Sequence, residues 1–177
     1  MMSQMEIRLG GSGGQGLILA GIILAEAAIL DGKNAIQSQS YGPEARGGAS
    51  KAEVIISDEG IDFPKVNQAD VLLVLTQEAY DKYAEGLKED GILIADQQVA
   101  LANASSGQVH HLPMLDTAGK KLGRTMVANI VALGVIQSAT AVVSRESLEQ
   151  AVLSRVPKGT EELNQKALSE GYALAAG

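Results

Sequence analysis

Apolar residues fall along this chain in short runs and long ones. Met5 to Leu9, "AEVII" from Ala52 to Ile56, "VLLVL" from Val71 to Leu75 and "GILIAD" from Gly91 to Asp96 are too short for most helices. Their content of Val, Ile and Leu predicts buried strands. Asn34 to Gln39 reads as a second strand after Met5 to Leu9, and "VHHLP" from Val109 to Pro113 as a weaker one that stops at proline. Between Gly14 and Leu30 apolar residues occupy nearly every side of a helical wheel, which predicts a largely buried helix with Gly32 as its stop.

Thr76 is a candidate N-cap for a helix over Gln77 to Leu87. Beyond Thr125, "TMVANIVALGVIQSATAVV" is long, apolar and helical in pattern. Ser144 caps a further helix that ends before Pro157, and Thr160 opens a last one. Strands alternating with helices, then a helical tail, predict an α/β fold: a Rossmann-like, doubly wound, mostly parallel sheet with helices on both faces. No repeat, low-complexity stretch or linker divides the chain, so 1–177 is expected to form one domain.

Composition narrows the chemistry. With 177 residues, the chain can bury roughly 70% of the surface its unfolded form exposes, and needs no covalent staple. The absence of cysteine excludes disulfides, thiolate zinc sites, a catalytic thiol and cysteine-ligated iron–sulfur clusters from this polypeptide. A net charge of -7, with no Lys/Arg block, argues against nucleic acid as a ligand. The opening "MMSQMEIRLGG" has no basic stretch followed by a secretory apolar region, and the apolar run from Leu17 to Leu30 is interrupted by Gly21 and Glu26. The expectation is a cytoplasmic protein that does not engage a membrane.

Two stretches stand out for their bare backbone. In "GGSGGQG" from Gly10 to Gly16, Gly11, Gly13 and Gly16 form G-x-G-x-x-G between a predicted strand and a predicted helix. Glycines there permit a tight turn, close approach to a ligand and close packing of helix on strand, while the free N–H groups of a helix start favour an anion. A dinucleotide enzyme would also carry an acid near the end of the second strand, but "IQSQS" has none and Asp31 lies too early. The loop is therefore read as a contact for an anion or a partner, or as strand-to-helix packing alone; Ser12, Gly14 and Gln15 complete it.

The second stretch is "SYGPEARGGAS", Ser40 to Ser50. Pro43 fixes its own φ and biases Gly42 towards extended geometry, and Gly47 and Gly48 allow backbone shapes closed to other residues. Tyr41, Glu44 and Arg46 supply an aromatic ring, a carboxylate and a guanidinium in one loop. Open α/β sheets bind ligands at the carboxyl ends of their strands, so the two stretches are expected to be neighbours.

At this point the residues resemble a known family. "GSGGQG" followed by "QSYGPEARGGASKAEVIIS", then "ADVLLVLTQEAYDKY" and "GILIAD", looks like the gamma subunit of the 2-oxoacid:ferredoxin oxidoreductases, the pyruvate/ketoisovalerate oxidoreductase gamma domain, over most of the chain. Within it, this wording is most similar to the 2-oxoglutarate branch. The resemblance implies a complex in which a 2-oxoacid is decarboxylated on thiamine diphosphate, electrons pass through iron–sulfur clusters to ferredoxin, and the acyl group leaves on coenzyme A. It also implies that thiamine diphosphate, magnesium and the clusters sit on alpha and beta subunits, in some members with a delta subunit. This chain would then form a non-catalytic wall of the site through Gly11 to Gly16, Tyr41 to Glu44, Arg46 to Gly48 and Thr76. A free-standing Rossmann-like binder of a phosphate-bearing ligand such as coenzyme A is the alternative.

The remaining candidates have plainer readings. His110 and His111 are adjacent on a predicted strand, so they point to opposite faces and cannot readily share a metal. "EGLKED" from Glu85 to Asp90 reads as a solvated helix end. Thr76 and Asp96 follow strands, where capping and ligand contact are equally plausible. No Ser/His/Asp constellation or nucleophile elbow is legible, and the isolated chain is expected to be inactive.

Overall fold

A computed structural model of the chain describes residues 4–40, 48–102 and 107–177. Among these residues, six strands form one sheet in the order β2-β3-β1-β4-β5-β6: β1 (Gln4–Gly11), β2 (Asn34–Gln39), β3 (Ser50–Ser57), β4 (Ala69–Val74), β5 (Leu87–Asp96) and β6 (Gln108–Leu112). β1, β4, β5 and β6 pair in parallel, whereas β3 is antiparallel to both β1 and β2. The sheet is thus mostly parallel, with β3 as the one reversed strand. The reversal follows from length: the segment between Gln39 and Ser50 is shorter than the dozen or so residues a parallel crossover requires. A cross-strand pair also ties β3 to β1, because Arg8 sits opposite Glu53 and its Nε lies 2.6 Å from that carboxylate. The same guanidinium donates to the Val66 carbonyl at 2.9 Å.

Strand side chains alternate between two cores, as the period of two requires. Ile7, Leu9, Val54, Ile56, Val71, Leu73 and Ile94 are buried with α1 (Leu17–Leu30), α4 (Ala128–Thr140), α5 (Arg145–Arg155) and α6 (Glu161–Ala176). Leu72, Val74, Leu93 and Ala95 face the other way, against α2 (Gln77–Tyr83). Helices therefore cover both faces, and the helical C-terminal part packs on one of them. α3 (Met114–Asp116) is a short turn that runs into a wider helical turn over Thr117–Lys121.

Local chemistry sets the boundaries. Gly16 is the N-cap of α1, so the helix starts at Leu17 and not at Gly14. Thr76 caps α2 by accepting from the Ala79 N–H at 3.2 Å, and Ser144 caps α5 by accepting from the Ser147 N–H at 3.1 Å. α2 ends at Tyr83, earlier than Leu87, and "EGLKED" divides between a tight turn at Ala84–Gly86 and the start of β5. The β4/β5 register shifts near Ala69 and Val71, and a Cβ at Gly91 would stand 2.9 Å from the Lys88 carbonyl oxygen and 3.1 Å from that of Asp70. A bulge closed by glycine accounts for the extended path. The apolar stretch after Thr125 begins as a tight turn at Thr125–Val127, continues as α4, and stops where Ala141 takes φ 51°.

α1 and α5 are joined by one carboxylate. Asp31 accepts from the Ser144 N–H and hydroxyl, both at 2.7 Å, and from the Ser147 hydroxyl at 2.6 Å. Burial pushes its pKa up, but the bonds from Ser147 and Ser144 outweigh this and hold it below the ordinary aspartate value.

Candidate functional site

After β1 the chain runs through α1 to β2 and β3 on one side, while β4 leads to β5 and β6 on the other. The carboxyl ends of β1 and β4 thus mark the switch point at which such sheets leave a crevice. The glycine stretch occupies it. Gly10 lets α2 close on the strand: a Cβ there would lie 2.9 Å from Tyr83 Cδ2 and 3.2 Å from Ala79 Cβ. Gly16 has φ +75°, and a Cβ would meet Asn129 Nδ2 at 2.5 Å. Gly14, at φ +88°, has open space where its side chain would be.

One side chain folds back over this turn. Gln15 Oε1 accepts from the Ser12 N–H at 2.8 Å, and Asn129 Nδ2 donates to the Gly16 carbonyl at 3.1 Å from across the molecule. One of the turn's backbone donors is therefore already satisfied by the chain itself.

Two cavities flank Gln15. The smaller, of about 340 Å³, runs along Leu75, Thr76, Glu78 and Val99; the larger, of about 640 Å³, along Gly14, Asp116, Lys120, Thr125 and Met126. They share Gln15, Gln98 and Leu115 as a common wall. Asp96, fully buried at the end of β5, fixes two of these three: its Oδ1 accepts from the Gln98 N–H at 3.0 Å and its Oδ2 from the Leu115 N–H at 2.8 Å. Asp116 accepts from Gln97 Nε2 at 2.8 Å and from Lys120 Nζ at 3.3 Å, so Lys120, a cation lining the larger cavity, stands beside a carboxylate. Glu6 and Lys88, whose pKa values are raised, lie near the starts of β1 and β5, at the opposite end of the strands. For Glu6 the cause is chiefly burial; for Lys88 it is chiefly the hydrogen bond to Asp70.

Of the residues singled out in the sequence, Gly11, Ser12, Gly13, Gly14, Gln15, Gly16 and Thr76 gather at this edge, with Gln15 and Thr76 on one cavity. Tyr41, Gly42, Pro43, Glu44, Arg46 and Gly47 lie outside the described residues. The flanks of that segment are placed: Ser50 stands opposite Gly11, and the Ser40 N–H donates to the Lys51 carbonyl at 3.2 Å. Both ends of the second stretch thus reach the edge carrying the first. Thr76 Oγ1 serves as a cap, and both Asp96 oxygens accept backbone N–H groups. His111 Nε2 hydrogen-bonds the Val99 carbonyl at 2.8 Å.

Gln98, Leu115, Lys120, Thr125 and Asn129 join the site without having stood out in the sequence as site residues. The last had a signal: Asn129 is the lone amide in "VANIVALGVI", and an unexplained polar residue in a buried helix needs a partner. The others come together only through the sheet order.

A model of the pyruvate ferredoxin/flavodoxin oxidoreductase family matches residues 6–174. The chain is 52% identical over 174 residues to the 2-oxoglutarate synthase subunit KorC of Methanocaldococcus jannaschii, covering 96% of this chain and 93% of that protein. It is 35% identical over 135 residues to the ketoisovalerate oxidoreductase subunit VorA of Methanothermobacter thermautotrophicus, of which it covers 28%. The crystal structure of a keto/oxoacid ferredoxin oxidoreductase gamma subunit from Geobacter sulfurreducens superposes with a TM-score of 0.88 at 55% identity, covering 97% of this chain and 98% of that one. The fold recurs, at 22% identity and a TM-score of 0.88, within 32% of a 2-oxoglutarate:ferredoxin oxidoreductase chain from Magnetococcus marinus, whose structure has 2-oxoglutarate, coenzyme A and succinyl-CoA bound. Among the described residues, no helix is long and apolar enough to cross a membrane.

Proposed function

This chain belongs to the pyruvate ferredoxin/flavodoxin oxidoreductase family, as a gamma-type subunit of a 2-oxoacid:ferredoxin oxidoreductase, and on that premise we propose that its complex oxidatively decarboxylates 2-oxoglutarate in the cytoplasm. The choice of 2-oxoglutarate over pyruvate or ketoisovalerate rests on the names of relatives at 52% and 48% identity, against 35% for a ketoisovalerate oxidoreductase subunit. The chain acts as one gamma-type domain over 1–177. Alpha and beta subunits carry thiamine diphosphate, magnesium and the iron–sulfur clusters, and pass electrons to ferredoxin. With no cysteine, this polypeptide has no thiolate to hold a cluster.

The chain's own part is to wall one side of the coenzyme A path. The observation that carries this reading is the pairing of Gly11 with Ser50, which brings the glycine turn and both flanks of the 41–47 segment to one rim beside the two cavities. Gly11 to Gly16, Tyr41 to Glu44, Arg46 to Gly48 and Thr76 would then face ligand or partner. The test is reconstitution. The purified chain should reduce no acceptor alone, and should restore coenzyme A-dependent, 2-oxoglutarate-dependent reduction when added to the thiamine-bearing subunits. Undiminished turnover when it is omitted would overturn the reading.

A further inference from the structure

Among the described residues, Gln15 is the one that both belongs to the glycine turn and lines both cavities. The orientation of its amide is chemically determined. The Ser12 N–H can be met only by an acceptor, so Oε1 faces the turn at 2.8 Å and Nε2, with its two N–H donors, is left as the free end. Among the described residues Nε2 has no partner. A side chain anchored at one end and unpaired at the other is a preorganised donor on the shared wall.

The charge around it selects what that donor meets. Glu78 lines the smaller cavity, and Asp116 and Lys120 stand together on the larger, so among the described residues the ionic side chains on these walls sum to no excess of positive charge. A phosphate would lose hydration there without a compensating cation. A neutral carbonyl oxygen meets no such penalty. We propose that Gln15 donates its Nε2–H to an amide carbonyl of the pantetheine arm of coenzyme A, laid along the wall shared by the two cavities, while the phosphates of the co-substrate are held elsewhere. This rests on the reading of the chain as a wall of the coenzyme A path.

The decisive variant is Gln15→Glu. It keeps an oxygen for the Ser12 N–H and so preserves the turn, but replaces the free donor by an acceptor; Gln15→Leu removes both. In the reconstituted complex, Q15E is expected to raise the KM for coenzyme A about five- to tenfold, the scale of one lost hydrogen bond. The KM for the 2-oxoacid should stay in place. Pantetheine, which has no phosphate, is expected to compete with coenzyme A in the wild-type complex and to weaken by the same factor in Q15E. If Q15E behaves as wild type and only Q15L is impaired, Gln15 serves the turn alone and the inference fails. It fails equally if Q15E weakens coenzyme A but pantetheine does not compete with the wild type, which would assign the contact to a phosphate. Loss of all coenzyme A dependence in the wild-type complex would instead strike the underlying functional reading.

Discussion

Asn129 donates its side-chain Nδ2–H to the carbonyl of Gly16 at 3.1 Å, bridging two positions 113 residues apart in the chain. The bond fastens the start of α4 to the N-cap of α1, so the turn that ends β1 is held by the helical layer packed over the sheet. Asn129 Oδ1 also accepts from the Ile130 N–H at 2.9 Å, leaving neither end of the buried amide idle.

Asn129→Ala is expected to lower stability by about 1–2 kcal/mol, the scale of a buried hydrogen bond removed from one side. Gly16→Ala should cost about the same or more, because its Cβ meets Asn129 Nδ2 at 2.5 Å and the residue must keep φ +75°. The double variant Gly16→Ala/Asn129→Ala relieves the contact. Its loss should therefore fall short of the sum of the two, by the coupling a double-mutant cycle in urea measures.

The crossing of α4 and α6 gives a sharper case. A Cβ on Gly171 would run into the Val131 carbonyl oxygen and stand 2.9 Å from Gly134 Cα; one on Gly134 would lie 2.5 Å from the Leu168 carbonyl oxygen. Two backbones in contact leave no flexible atom to move aside. Gly171→Ala is expected to destabilise by about 1–3 kcal/mol through overpacking, despite the better helix propensity of alanine. An unchanged or raised midpoint in a thermal melt would refute the close crossing.

Much of this architecture is legible in the sequence. The run from Asn34 to Gln39 is a strand with those bounds, and the caps at Thr76 and Ser144 operate as their residue types imply. What the pattern concealed was direction and company. Nothing in "AEVII" distinguishes a parallel strand from a reversed one, and only the short connection after Gln39 does so. The rim was legible as two glycine-rich stretches, but its inner wall was not, because Gln98 and Leu115 meet through the carboxyl of Asp96 and not through any sequence spacing.

Stability should depend on pH through Asp31. Its folded pKa lies below the unfolded value, so its contribution is fully present above about pH 4 and is lost as pH falls through the folded pKa. At neutral pH, Asp31→Ala is expected to cost about 1–2 kcal/mol, reduced from the value for three buried charged bonds because solvent screens the site. As pH falls through the folded pKa, the difference between the variant and the wild type should shrink. Urea midpoints measured from pH 7 to pH 2.5 check this, and a constant difference throughout would remove Asp31 as the titrating link between α1 and α5.

Asp96 joins stability to the cavity wall. Its side chain is fully buried, and both oxygens accept backbone N–H groups, one from Gln98 and one from Leu115. Asp96→Asn must turn an amide N–H₂ towards one of those donors, leaving the pair facing each other without an acceptor. The expected cost is about 1–3 kcal/mol, with release of either Gln98 or Leu115 from the wall. Because the residue lines neither of the two cavities itself, its effect on the assembled complex should follow from position. The KM for coenzyme A should rise while the KM for the 2-oxoacid stays near wild type. Asp96→Ala, which frees both backbone groups, should exceed Asp96→Asn on both measures. If D96A and D96N destabilise the chain alike yet leave coenzyme A affinity untouched, the wall shared by the two cavities has no part in holding the co-substrate.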